Sequence, residues 1–387
     1  MSRALLLLLL PSLALAAEPP AQAPALGAPY FESGPGAEAW RLFRKQDWAG
    51  AAAAFASLAA SKKPAPKAGN QHPLQARFLE AYARSRAGQF AEAAAAFDGL
   101  ASSYPLLADY HRLYAARAWL AANKLEPALE RARKIDKGSP LDGEARFTRA
   151  EALRQLDRLE EAEREYAGYL DAYPTSWREP EVRFRLAAVI EARAAAEKRD
   201  RAAEARALYR QIAVRFPTES WARLAEQKIG DAPLTGAEQV TRGLALFEQM
   251  RNPESEAAFR AALAAPDLAA SQQCVAAYHL AQSVFKARDR PRAAALFDDA
   301  EARCAKAPKD DATSVDLHAK ALYQGARCHA AKEEYGDALR RFQRIEAEHP
   351  VEAGFAVGRH LVVLVEFRLG GIGEMVAHRR VRLVGWR

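Results

Sequence analysis

The chain is poor in the residues that build sheets and in those that build reactive centres. Its first 350 residues contain only seven valines, and β-branched side chains are what pleated, half-buried strands favour. Alanine, leucine, arginine and glutamate dominate instead, all good helix formers. There is no P-loop, no Gly-x-Gly-x-x-Gly and no Gly-x-Ser-x-Gly. The eight histidines, among them His72, His111, His279, His318 and His329, are scattered singly along the chain. Acidic pairs such as Glu160-Glu161 and Asp298-Asp299 fall on predicted helix surfaces. No catalytic residue, cofactor or metal is expected from these patterns.

Cysteine is scarce too, with three in 387 residues. Cys274 and Cys304 fall near opposite ends of one predicted helical hairpin, where antiparallel helices would bring those ends together. They can form a disulfide or remain two buried thiols. Cys328, in mid-helix, reads as a small core residue.

Charge of one sign is also weak. The formal net charge is +7, but Arg3 would leave with a signal sequence. The last 37 residues carry six arginines against three glutamates, which leaves +3 on the body. The charges alternate along helices rather than running together, so a nucleic-acid partner is not expected.

Long apolar runs are absent beyond the first residues. Met1-Ser2-Arg3 supplies one positive charge, Leu5 to Leu10 are six consecutive leucines, and Pro11 breaks the run. Ala14-Leu15-Ala16 then gives the small-x-small pattern of a cleavage site. The run is too short to span a bilayer, so residues 1–16 read as a cleaved secretory signal. Export to the periplasm is the expectation, with no transmembrane segment. Residues 17–36 hold Pro19, Pro20, Pro24, Pro29 and Pro35 among alanines and glycines, an extended or flexible leader.

From residue 37 to residue 350 one phrase recurs. Ala93, Ala128, Ala162, Ala205 and Ala338 each stand 12 residues before a proline: Pro105, Pro140, Pro174, Pro217 and Pro350. Four positions after these alanines come Phe97, Ala132, Tyr166, Tyr209 and Phe342; three further on come Leu100, Ile135, Tyr169, Ile212 and Ile345. Weaker copies occur at Ala51/Phe55, Ser255/Phe259 and Ala293/Phe297. The first three alanines are 35 and 34 residues apart. A period near 34 with small-x3-aromatic and a closing proline is the tetratricopeptide pattern, two antiparallel helices per repeat. The small residue permits close helix approach, the ring fills the gap against the next repeat, and the proline stops the second helix.

Residues 37–350 are therefore read as all-α, an α-solenoid of about eight stacked hairpins. Ala162 and Ala205 are 43 apart, so Ala192–Arg201 reads as an insertion that lengthens the fifth repeat. In such arrays the first helices line the concave face. Counting back from the marker alanines puts Phe78, Leu113, Phe147, Tyr278 and Tyr323 at one first-helix position. One turn on come Tyr82, Arg117, Glu151, Gln282 and Arg327. These rings and polar groups could hold a peptide or a glycan, or the rings could simply pack between helices.

From Val351 to Arg387 the composition changes abruptly. This segment has eight valines and six glycines in 37 residues and no copy of the phrase. A small β-prone extension is one explanation. A shifted reading frame after Pro350 is the preferred one, because out-of-frame GC-rich coding tends to give Val, Gly and Arg.

Three stretches carry a resemblance: "LADYHRLYAARAWLAANKLEPALERARKI", "EARFTRAEALRQLDRLEEAEREYAGYLDAYP" and "ALYRQIAVRFPTESWARLAEQKI". With the late "YGDALRRFQRIEAEHP", residues 75–350 resemble the superhelical N-terminal part of bacterial soluble lytic transglycosylases. Those are periplasmic enzymes that cleave peptidoglycan. The resemblance implies an envelope location, peptidoglycan turnover by the parent protein and a separate C-terminal lysozyme-like module; the expected partner is peptidoglycan or a cell-envelope protein. That module's catalytic glutamate sits in a Glu-Ser pair followed by Gly-Leu-Met-Gln. Here Glu32-Ser33, Glu219-Ser220 and Glu254-Ser255 have no such motif after them, so no catalytic residue is placed on this chain. The alternative expectation is a stand-alone tetratricopeptide adaptor that binds a protein partner in the envelope.

Overall fold

The computed structural model describes residue 31 and residues 34–60 and 72–349. The signal, nearly all of the leader, Pro350 and the tail from 351 to 387 lie outside the described residues. The chain divides into two compact units, Met1–Arg158 and Leu159–Arg387. Both are helical, and there is no strand among the described residues.

The first unit holds α1 (Gly34–Arg44), α2 (Trp48–Ala60), α3 (His72–Arg86) and α4 (Phe90–Ser103). A single 3-10 turn, Pro105–Leu107, leads into α5 (Ala108–Ala121), α6 (Leu125–Arg133) and α7 (Asp142–Gln155). α1 thus begins inside the stretch read as leader. The second unit holds α8 (Leu159–Ala172), α9 (Glu179–Glu197), α10 (Ala202–Arg215), α11 (Ser220–Ile229) and α12 (Gly236–Glu248). It continues with α13 (Asn252–Ala264), α14 (Ala270–Lys286), α15 (Arg290–Cys304), α16 (Ala312–Ala331) and α17 (Tyr335–Glu348). Within each unit nearly all helices pack on their neighbours in sequence, α11 and α12 excepted. Some helices also meet the next but one, as α5 meets α7 and α12 meets α14. That is the packing of a helical repeat.

The small residue and the side chain four positions on are buried in each repeat. Ala51/Phe55, Ala93/Phe97, Ala128/Ala132, Ala162/Tyr166, Ala205/Tyr209, Ser255/Phe259, Ala293/Phe297 and Ala338/Phe342 are all at most 1% exposed. Ser255 shows why a hydroxyl is tolerated at this position. Its Oγ donates to the Gly243 carbonyl at 3.2 Å and lies 3.0 Å from Ser283 Oγ, so the buried polar atom is satisfied.

The turns between successive helices are equally regular. Gln46, Gly88, Asn123, Asp157, Lys198, Met250, Arg288 and Glu333 all have positive φ, between 53° and 82°. Each left-handed residue donates its N–H to the carbonyl three back, and the next N–H reaches the carbonyl five back. Arg288 N to Phe285 O at 2.9 Å and Asp289 N to Val284 O at 3.2 Å are one instance. This is the Schellman arrangement, which satisfies carbonyls that the helix end would leave unpaired. Gly88 is the one glycine in the set. Pro140, Pro174 and Pro217 stand in the turns after the second helices, where a missing N–H costs nothing.

Two irregularities interrupt the pattern. α9 has 19 residues and is joined to α10 by four, Lys198 to Arg201, so the sequence insertion is an extra turn of helix with a longer link. α11 then stands as a single helix before the next hairpin opens at α12. The start of α12 is fixed by a capping box: Thr235 Oγ1 accepts from Glu238 N, and Glu238 Oε2 accepts from Thr235 N at 2.8 Å. No helix among the described residues is long and apolar enough to cross a membrane.

Candidate functional site

In the first unit the candidate rings act as joints between helices. Phe78 of α3 packs edge-on to Phe97 of α4 at 5.7 Å and to Tyr114 of α5 at 5.5 Å between centroids. Tyr82, one turn on, meets Phe43 of α1 at 5.7 Å and Tyr114 at 6.1 Å. Such contacts add roughly 0.5–1.5 kcal/mol beyond area burial. His111 lies 5.8 Å from Phe78, and burial pushes its imidazole below the usual range. Arg117 of α5 pairs with Glu144 of α7. Glu151 of α7 is buried and pairs with Arg154 at 2.9 Å, while Phe147 on the same helix is half-buried.

In the second unit, Tyr278 and Gln282 belong to α14, and Tyr323 and Arg327 to α16. Tyr278 is buried, and its phenol oxygen accepts from Gln282 Nε2 at 2.8 Å. Burial pushes that phenol up. Tyr323 is half-buried against Phe342 at 6.1 Å. Arg327 is exposed, with its guanidinium carbon 5.7 Å from the Tyr323 ring centre. The ring positions are thus largely given to packing. The positions one turn on carry an aromatic, a cation, an anion, an amide and a second cation.

Interactions between hairpins gather a set of residues that the sequence spacing does not reveal. His329 of α16 is buried between Asp298 of α15, 3.0 Å from Nε2, and Glu334 of the following turn, 2.6 Å from Nδ1. Asp298 also takes Arg341 of α17. Nearby, His318 Nδ1 and His349 Nε2 are 3.0 Å apart, with Glu348 4.0 Å from the former. Burial first, and then the charge of His349, hold the His318 imidazole below its usual range. Glu348 is engaged by Arg344 at 2.7 Å and Glu334 by Lys332 at 2.7 Å, so each carboxylate already has a cation beside it. A further buried carboxylate, Glu179 of α9, takes Arg183 at 2.8 Å together with Arg215 of α10.

Cys274 at the start of α14 and Cys304 at the end of α15 are joined by a disulfide, with Cα atoms 4.4 Å apart. Cys328 is a free, buried thiol, and burial raises it above the ordinary thiol range.

No family model and no curated protein matches the chain. Among solved structures it is similar to a tetratricopeptide repeat protein from Parabacteroides merdae, at 14% identity. That match covers 74% of this chain and 96% of the other, with a TM-score of 0.39. Another is Naa15/Naa10 bound to HypK-THB, at 16% identity over 81% of this chain and 47% of that one, TM-score 0.41. The TPR domain of P58(IPK) is similar at 11% identity over 86% and 98%, TM-score 0.27.

Proposed function

We propose that the chain is an exported helical-repeat adaptor that binds a protein partner in the cell envelope. One observation carries this reading. The buried pairs repeat one small-and-large theme, Ala128/Ala132 excepted, whereas the first-helix row one turn on changes chemistry from repeat to repeat: Tyr82, Arg117, Glu151, Gln282, Arg327. Within each unit such a scaffold holds spacing constant while varying the group left accessible, Arg117 in the first and Gln282 and Arg327 in the second, which suits an extended protein segment. Leu106, Leu107 and Tyr110, exposed together at the entry to α5, add an apolar anchor in the first unit. Export is supported by the signal-like start of the sequence and by the Cys274–Cys304 disulfide, which an oxidising compartment sustains.

A photo-crosslinking residue placed at Arg327 tests the reading in living cells. A discrete protein adduct that disappears on Gln282→Ala is expected. Retention of the purified chain on murein sacculi, with no protein adduct, would shift the assignment to peptidoglycan, as the resemblance to lytic transglycosylase superhelices implies.

A further inference from the structure

The repeat departs from its rule twice within the second unit, at the lengthened α9 and at the unpaired α11, and a cavity of about 220 Å³ lies where the two departures meet. The extra turn of α9 and its long link supply Arg199, Asp200 and Arg201; α10 supplies Arg206 and Tyr209, and α11 supplies Lys228. Glu191 of α9 completes the polar lining.

The wall is built and braced rather than loose. Arg193 and Arg201 both close on Glu163 of α8, at 3.1 Å and 2.8 Å, and hold the inserted turn against the preceding helix. Glu163 is correspondingly kept below the usual carboxylate range, first by the Arg201 hydrogen bonds. The acidic lining of the cavity is already satisfied from within. Glu191 accepts from Lys228 Nζ at 2.8 Å and from the Tyr209 hydroxyl at 3.1 Å. Asp200 accepts from Ala202 N at 3.0 Å. Of the basic lining, Lys228 is paired with Glu191 and Arg201 with Glu163 and Glu204, but Arg199 and Arg206 are not used up in this way. Arg206 is exposed and makes no ion pair or hydrogen bond with any other described residue. Arg199 projects with a 71% exposed side chain and a single 3.3 Å contact to Glu197. Four cations therefore face two anions, and the two least engaged guanidiniums come from the link before α10 and from its first turns.

We propose that this cavity is a carboxylate-binding site, and that it takes an acidic side chain or the chain terminus of the partner protein. Its volume is below the roughly 300 Å³ typical of pockets that enclose a whole small ligand, so it suits a single residue of a longer segment. Two guanidinium forks match carboxylate geometry and form charge-assisted bonds that are about twice as strong as neutral ones. The proposal rests on the adaptor reading and adds to it the chemistry of one contact.

The test uses the purified chain and a fluorescein-labelled octapeptide of alternating Ala and Glu with a free C-terminus, followed by fluorescence anisotropy. Peptides with Gln for Glu and with an amidated C-terminus separate side-chain from terminal recognition. The acidic peptide is expected to bind, and the Arg199→Ala/Arg206→Ala variant to bind it about tenfold more weakly, equivalent to ~1.4 kcal/mol. Arg206→Lys should retain part of the affinity, and Arg260→Ala on α13 all of it. Both arginines are exposed, so circular dichroism of the variants should match the parent. Equal binding of a Gln peptide with an amidated C-terminus, or unchanged affinity in the double variant, would overturn the site. Inorganic phosphate competing more strongly than acetate would overturn the carboxylate assignment. A cellular adduct at Arg327 that survives alongside either negative result leaves the adaptor reading standing while the cavity proposal fails.

Discussion

Gly243 of α12 lies directly against the ring of Phe259 of α13, so closely that a Cβ on the glycine would fall 2.6 Å from Phe259 Cε1. Phe259 is fully buried and cannot swing aside into solvent. Alanine at 243 would gain about 1 kcal/mol of helix propensity but would overpack the hairpin, at a cost of roughly 1–3 kcal/mol. Gly243→Ala should therefore lower the urea midpoint by the equivalent of about 1 kcal/mol. A raised midpoint would show that the hairpin relaxes at this contact.

The left-handed turn residues support the opposite kind of change. Arg288 has φ of 68° and an exposed side chain. A left-handed backbone costs a non-glycine residue roughly 1–2 kcal/mol, part of which glycine returns as unfolded-state entropy. Arg288→Gly should stabilise the second unit by about 0.5–1 kcal/mol in chemical denaturation. The same change in mid-helix, at Arg260, should destabilise by about the same amount.

His279 sets a pH dependence. Its ring sits 4.9 Å from Phe247 and 5.9 Å from Phe259. Burial, with Lys286 and Lys320 nearby, pushes its imidazole down to about 4. The unfolded chain takes up this proton near 6.5, the folded chain only near 4. Between those values the unfolded state binds more protons, so stability is full above about 6.5 and falls as pH drops towards 4. The slope from this group is at most ~1.4 kcal/mol per pH unit. Urea melts at pH 7.5, 6 and 5 should show it, and His279→Gln should flatten much of it.

Reduction should loosen the second unit. A disulfide that closes a loop of 30 residues contributes on the order of 2–4 kcal/mol. Cys274→Ser/Cys304→Ser should lose that amount. In the native parent a thiol reagent should leave the buried Cys328 unmodified, and one equivalent should react only after unfolding.

The sequence makes the interior of this fold legible and leaves most of its polar joints hidden. Alanine, ring and proline recur because the hairpin core has one geometry, and each marker among the described residues is found where the count puts it. The ion pairs between hairpins escape a linear reading because their partners stand far apart in sequence. Yet their separations cluster near a repeat length: 31 for His329 with Asp298, 30 for Arg193 with Glu163, 28 for Arg210 with Glu238. Opposite charges about one period apart were the available signal. The rings of the first-helix row were equally readable as binding groups or as packing groups. Sequence alone could not say that Phe78 and Tyr82 meet Tyr114, because that depends on the angle at which α3 and α5 pass.

The disulfide has a mechanical consequence. It ties the beginning of α14 to the end of α15, so a force applied to the two ends of the chain bypasses the residues between them. Pulled to full length, the oxidised protein would come up short by roughly 100 Å, the 30 residues of the loop at about 3.3–3.6 Å each. One hairpin would remain shielded from the load while those around it are drawn out.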